Sequence, residues 1–243
     1  MNLLQVYYAS NLEIDKTQPS IISYINALQP ITNLTEQETY QIDLTLTEEE
    51  LFKNINKSNR SQIKIAATKK FTHIVDTNPS YHDLVEFQHF YNTFAKKKQT
   101  HLCNSFHLKT LQLLREQHAL VLTKILGVQK EILYYRIYLT DHIHALTLYS
   151  ASHFRLNELP ETKRLYSMAS RYLLWKNILW FKESGHKIYD FGSLTTDKNI
   201  RQFKLGFGGE IVLVYSGYLS TNLKGSFILW ARKMKMISLW KYQ

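Results

Sequence analysis

The sequence predicts an α/β chain whose mixed, α+β sheet holds an antiparallel meander flanked by helices. Three observations carry this. The runs 119–126, 131–139 and 142–150 are strand-like and joined by connections too short for a crossover, so they must be antiparallel neighbours. After Pro160, Leu165, Met168, Tyr172, Trp175 and Leu179 recur at steps of three and four, which defines one buried helix face. Strand and helix periods together give the order β-α-β-α-α-β-β-β-α-β-α-β over 39–219.

The elements follow in order. Residues 1–38 have weak periodicity around Pro19 and Pro30 and read as an N-terminal appendage. TYQIDLTL (39–46) alternates apolar and polar and reads as a strand. Thr47 and Glu50 form a capping box, and the helical pattern runs on to Ala66 and Ala67. FTHIVD (71–76) is a short strand, and 80–98 and 104–117 are helices, the first entered through Asn78-Pro79-Ser80. Gly127-Val128-Gln129-Lys130 and Thr140-Asp141 turn the meander. Ser184-Gly185 stops the long helix. KIYDFG (187–192) is a buried strand, NIRQFKLGF (199–207) a short helix and EIVLVYSGYL (210–219) the last strand. The stretch 224–243 is a basic amphipathic helix.

The chain has 243 residues, 44% of them hydrophobic and 13% aromatic, which excludes disorder and is enough for a sizeable core. Cys103 is the only cysteine, so a disulfide scaffold is excluded and a reducing cytoplasm fits. No run is long and apolar enough to span a membrane, and MNLLQVYYAS does not read as a signal peptide. Charge is unevenly spread. Residues 1–50 hold one base against eight acids, whereas the rest holds 29 bases against 12 acids. Such a body favours anionic partners: phosphates, nucleotides, RNA or an anionic membrane.

Two blocks resemble one family. In WKNILWFKESGHKIYDFGSLTTDKNIRQFKLGFGGEIV (175–212), a helix ends in Gly185, Tyr189-Asp190-Phe191-Gly192 follows, and Phe203-Lys204 precedes Phe207-Gly208-Gly209. IDLTLTEEELFKNINKSNRSQIKIA (42–66) is similar to the same family's opening strand and helix, with Arg60 as its basic residue. The family is the FemAB-like branch of the GNAT acyltransferase superfamily. The resemblance implies a GNAT domain over 39–223, with 1–38 as a remnant of a first such domain. It implies an N-acyltransferase that moves an acyl or aminoacyl group from acyl-CoA or aminoacyl-tRNA to an amine, in cell-envelope or polysaccharide metabolism. No permanently bound cofactor and no metal are expected. The place expected is the cytoplasm, at the inner membrane surface where 224–243 touches lipid. The partners expected are an anionic small molecule or tRNA, and not DNA. The other reading is an inactive GNAT-fold module that binds RNA, a nucleotide-linked sugar or anionic membrane.

Within that frame, Lys204 would meet the negative charge that develops on an acyl carbonyl, or a substrate phosphate. The bland alternative is a lysine at a helix end, favoured by the dipole. Asp190 would be a base for the attacking amine, or would hold the next turn through an Asx bond, and the turn is the preferred reading. Tyr149 and Ser150 end the strand that splays from its neighbour in this fold, where a pantetheine or acyl chain would lie. The resemblance also implies that Arg60 and Phe203 bind the substrate or donor. Acetyl-CoA-dependent members carry a Gly-rich turn for the pyrophosphate, whereas 151–164 contains no glycine. Arg155, Lys163 and Arg164 would then bind phosphate through side chains. Arg171 reads as a helix-surface cation. His142 and His144 have metal-compatible spacing but no third ligand, and read as a non-site. In the tail, Phe227, Trp230, Met234 and Ile237 form a stripe that reads as docking on its own domain, with a lipid or RNA surface as the alternative.

Overall fold

A computed structural model describes residues 3–10, 19–156 and 159–240; the side chains of 155–156 and 235–240 lie outside the description. The chain divides into two compact units, Tyr40–Glu210 on one side and Met1–Thr39 with Ile211–Gln243 on the other.

In the larger unit, β3 (Thr35–Asp43, from Tyr40), β8 (Ile188–Ser193), β7 (His144–Ser152), β6 (Ile132–Thr140), β5 (Leu120–Leu126) and β4 (Thr72–Asp76) lie side by side in that order. β4 to β7 pair antiparallel, and β7 pairs with β8 in parallel. This is the meander and the mixed sheet read from the short connections.

The pleat divides β6 between two cores. Tyr135 and Ile137 face α3 (Tyr81–Lys98) and α4 (Ser105–Glu116), where they pack with Leu84, Phe87 and Leu111. Tyr138 faces the other way, with α1 (Glu48–Asn54), α2 (Lys57–Ala67) and α5 (Pro160–Glu183), among Leu51, Ile63, Leu174 and Ile178. Alternation along one strand thus supplies both layers.

The helix expected over 47–67 is two helices. Ile55 leaves the helical region, and Asn56 restarts it by accepting a hydrogen bond from Asn59 N. Asparagine at that position competes with the backbone ladder and favours a cap over a helix interior. The last meander strand starts two residues later than expected, because the Asp141 carboxylate accepts from Ile143 N and His144 N and holds them in the turn.

The turn after α6 (Lys198–Leu205) is locked by close approach. Gly208 has φ 78°, and a Cβ on Gly209 would sit 2.1 Å from the Gln41 carbonyl oxygen. The Tyr40 hydroxyl accepts from Gly209 N at 2.7 Å and donates to the Leu205 carbonyl at 3.1 Å. The Phe-Gly-Gly signature is therefore a backbone-contact device.

The smaller unit has structure that the sequence reading did not find. β1 (Leu3–Tyr7) pairs in parallel with β2 (Ile21–Ala27), which pairs antiparallel with β9 (Glu210–Ser220). Ile22, Tyr24, Ala27 and Ile31 form its core with Val6, Leu34 and Leu219 packed against them. β2 is buried on both faces at nearly every residue, so its sequence has no alternation to read. α7 (Leu223–Trp240) follows. Among the described residues no helix is long and apolar enough to cross a membrane.

Candidate active site

Pairing between β7 and β8 covers only His144–Leu146 against Ile188–Asp190. Both strands continue, and a register shift in the β6–β7 ladder falls beside Leu148. Beyond Leu146 the two strands part. A cavity of about 530 Å³ opens there, lined by Thr147, Tyr149 and Ser150 of β7, Phe191 of β8, Tyr134 and Arg136 of β6, Ser170 and Arg171 of α5, and Phe203 and Lys204 of α6. That volume suits a small-molecule group or the reactive end of a larger substrate. Its lining includes Lys98, Arg136, Arg171 and Lys204, and no carboxylate.

The Lys204 ammonium donates to the carbonyls of Phe191, Gly192 and Ser193, at 2.9, 3.4 and 2.8 Å. These three acceptors match its three protons. Lys204 therefore clamps the end of β8 at the border of the cavity. Burial pulls its pKa down to about 8, against the opposing charge of Asp190.

Asp190 is fully buried and does not line the cavity. It accepts from Gly192 N at 2.7 Å and from Gln41 Nε2 at 3.0 Å. This is the Asx turn. Gly192 follows at φ 70°, a conformation that favours glycine.

Tyr149 lines the cavity, but its ring sits edge-on to Phe87 and Tyr91 and its hydroxyl contacts the Cys103 thiol. The phenol set among cavity hydroxyls is that of Tyr134. Ser150, Ser152 and Ser170 contact it, and the Arg136 guanidinium carbon lies 5.5 Å from its ring centre. Burial pushes its pKa up; Arg136 and the three hydroxyls outweigh that and bring it below the ordinary value.

A chain of hydrogen-bonded hydroxyls reaches the same cavity. His73 Nε2 lies 2.8 Å from Asn177 Oδ1. Asn177 Nδ2 donates to Thr123 Oγ1 at 2.9 Å and to the Tyr138 hydroxyl at 2.7 Å. Tyr138 and Tyr189 hydroxyls are 2.9 Å apart, and Tyr189 and Thr147 are 3.2 Å apart. Each of the last two contacts admits either hydroxyl as donor; the order in which Tyr138 donates to Tyr189 and Tyr189 to Thr147 leaves the Thr147 proton for the cavity.

Arg171 is a correction to the surface reading. Its Nε donates to Asn59 Oδ1 at 2.7 Å and its Nη1 to Ser167 Oγ at 2.7 Å, and Phe203 lies under its guanidinium at 5.3 Å. Arg60 lies apart from the cavity and donates to the Lys53 carbonyl. Arg155 falls in the 3-10 turn His153–Leu156, with its side chain outside the description. Arg164 lines a separate groove with Lys57 and Gln62. His144 Nδ1 contacts Asp141 Oδ2 at 3.0 Å. Among the described residues no group of three or more His, Cys, Asp or Glu could hold a metal.

The sequence reading missed Tyr134, Arg136 and Thr147. A usable signal existed for Arg136, a charged residue in the middle of the otherwise apolar run EILYYRIYL.

No protein-family model matches the chain, and no curated protein matches it in sequence. Solved structures do. FemX superposes with a TM-score of 0.60 at 13% identity, over 78% of this chain and 62% of that one. This chain therefore spans less than two thirds of FemX. The C-terminal domain of a putative lysylphosphatidylglycerol synthetase from Agrobacterium fabrum gives 0.55 at 12% identity, over 86% and 71%. The fold is that of FemX and of this synthetase domain. L-PGS from Bacillus licheniformis gives 0.53 at 12% identity, over 87% and 72%.

Proposed function

We propose that this protein is an N-acyltransferase working in the cavity between β7 and β8. The carrying observation is that this gap is lined by four cations and eight hydroxyl side chains at least partly sheltered from water, with no carboxylate among the lining residues. An amine nitrogen attacks the acyl carbon of an activated donor and the C–N bond forms. The carbonyl oxygen becomes an oxyanion, which Thr147 meets with its directed proton and Lys204 and Arg136 meet with their fields. The bond to the donor's thiol or hydroxyl then breaks. Tyr134, whose pKa is brought below its ordinary value, donates its phenol proton to the leaving group and takes the amine proton in exchange.

The donor is an acyl-CoA or an aminoacyl-tRNA. The absence of glycine in 151–164 favours the aminoacyl ester, and acetyl-CoA is expected to bind more weakly than about 1 µM (about −8 kcal/mol) by calorimetry. Lysylphosphatidylglycerol, for which one of the similar structures is named, is an aminoacyl ester of a phospholipid, and this supports an aminoacyl donor. The test is thermal stabilisation against acyl-CoA esters, charged tRNA and nucleotide-linked sugars. Stabilisation by a donor supports transfer; stabilisation by nucleotide sugar or uncharged RNA alone supports the binding-module reading.

A further inference from the structure

Arg136 is the odd cation of the cavity. It is 3% exposed, it lines the gap, and its Nε has no hydrogen-bond partner. No carboxylate of the described residues pairs with it. It contacts the Tyr138 hydroxyl, which satisfies part of the fork. The other buried cations are engaged: Lys204 on three carbonyls, and Arg171 on Asn59 and Ser167. A buried guanidinium with an open donor costs stability, and an apolar residue of similar volume would remove that cost. Its same-face neighbours Tyr134 and Tyr138 are uncharged aromatic side chains, so this face of the strand accommodates residues without charge.

We infer that Arg136 is an oxyanion subsite, and that the group bound in this cavity carries a carboxylate or phosphate lodged on the Arg136 Nε edge. The planar fork accepts either anion through paired N–H donors. This rests on the cavity being the transfer site, and it narrows the substrate class to one with an anion close to its reacting centre.

The experiment records arginine Nε–H resonances of the whole chain in a ¹H–¹⁵N spectrum during titration with N-acetylglycine or with inorganic phosphate. One Nε–H resonance, absent from Arg136→Gln, should move saturably, and the apparent affinity should fall at least about 10-fold in that variant (about 1.4 kcal/mol). A response to N-acetylglycine alone makes the anion a carboxylate; a response to phosphate alone makes it a phosphate. No saturable shift with either probe, or an equal response in Arg136→Gln, overturns the subsite. If Arg136→Gln fails to fold, the wild-type Nε–H titration decides alone. Wild type that binds these anions yet transfers no acyl group keeps the subsite and sinks the transferase reading.

A different observation carries a second proposal. In α7, Leu223, Phe227, Trp230 and Met234 follow one another at steps of four, three and four, and are 89%, 66%, 57% and 49% exposed. Phe227, Trp230 and Met234 of the stripe read as docked on its own domain are therefore in solvent, and the Ile237 side chain lies outside the described residues. The helix start is fixed within its unit: Gly225 N donates to Asn222 Oδ1, and a Cβ on Gly225 would meet the Ser20 carbonyl at 1.9 Å. Arg232 stacks over the Tyr218 ring at 4.1 Å, Lys224 and Lys233 are exposed, and no acid follows Glu210 in the sequence. We propose that this face lies on an anionic bilayer, with the aromatics at headgroup depth and the bases on lipid charge. Co-sedimentation with phosphatidylglycerol vesicles should be salt-sensitive, and Phe227→Ser/Trp230→Ser should weaken it at least about 10-fold. Equal binding to phosphatidylcholine, no binding, competition by tRNA at the same face, or no loss in the variant overturns it.

Discussion

The β7–β8 cavity and helix α7 use the same residue types in opposite ways. In the cavity, the buried cations are held by the fold: Lys204 by three carbonyls and Arg171 by Asn59 and Ser167. On α7 the apolar side chains face water, and Lys224 and Lys233 are hydrated. Desolvation makes each charge in the cavity count for several times its value at a surface, so one ion can select a ligand. On the helix each charge contributes little alone and is screened by salt, so only the sum over several bases and aromatics binds anything. The first arrangement suits chemistry on one group; the second suits adhesion to an extended anionic face.

The largest effects should come from the cavity. Thr147→Val keeps the shape, removes the directed hydroxyl, and is expected to lower turnover about 100-fold (about 2.7 kcal/mol) with the thermal midpoint nearly unchanged. Lys204→Met should cost a similar factor and also lower the midpoint, because the end of β8 loses its clamp. Lys204→Arg should recover only part, since a planar fork does not fit three carbonyls. Equal turnover in Thr147→Val and wild type would remove the hydroxyl chain from the mechanism. On the helix, raising the salt should release vesicle-bound protein while leaving cavity anion affinity less affected.

Gly209→Ala is expected to cost about 2 kcal/mol or more in denaturant unfolding, because the new methyl overlaps the Gln41 carbonyl. The smallest effect is a pH slope. Lys204 has a folded-state pKa near 8 against the ordinary 10.5. Between those values the unfolded chain binds the extra proton, so Lys204 makes stability rise with pH from about 8 and level off above the ordinary value. The difference between wild type and Lys204→Met, followed by denaturation across that window, should shift in that direction. A flat difference would mean that Lys204 is hydrated.

Much of the larger unit was legible because its devices are local. Thr47 and Glu50 announce a cap, Asp190 and Gly192 a turn, and short connections a meander. The FemAB-like blocks added the gap and Lys204, and that gap also took in Ser150 and Phe203. What stayed hidden depends on distance in sequence. Tyr134 and Thr147 acquire their roles from Ser170, Asn177 and Tyr189, on elements that only folding brings near. Tyr149 was read toward the cavity chemistry, but the meander's pleat turns its ring onto α3. β2 lacked alternation because both of its faces are buried. The α7 stripe gave the right helix, but amphipathic spacing cannot tell whether a face meets protein or solvent.

The central claim is that acyl transfer takes place in the β7–β8 cavity through Tyr134 and Thr147. Single-turnover transfer of a labelled acyl group tests it most directly, with charged tRNA and acyl-CoA offered alongside a mixed pool of amines that carry a carboxylate or phosphate. Wild type should form a labelled amide, and Tyr134→Phe should slow that step at least about 10-fold while still binding the donor. Amide formation at an equal rate in wild type, Tyr134→Phe and Thr147→Val would place the chemistry elsewhere and contradict the account.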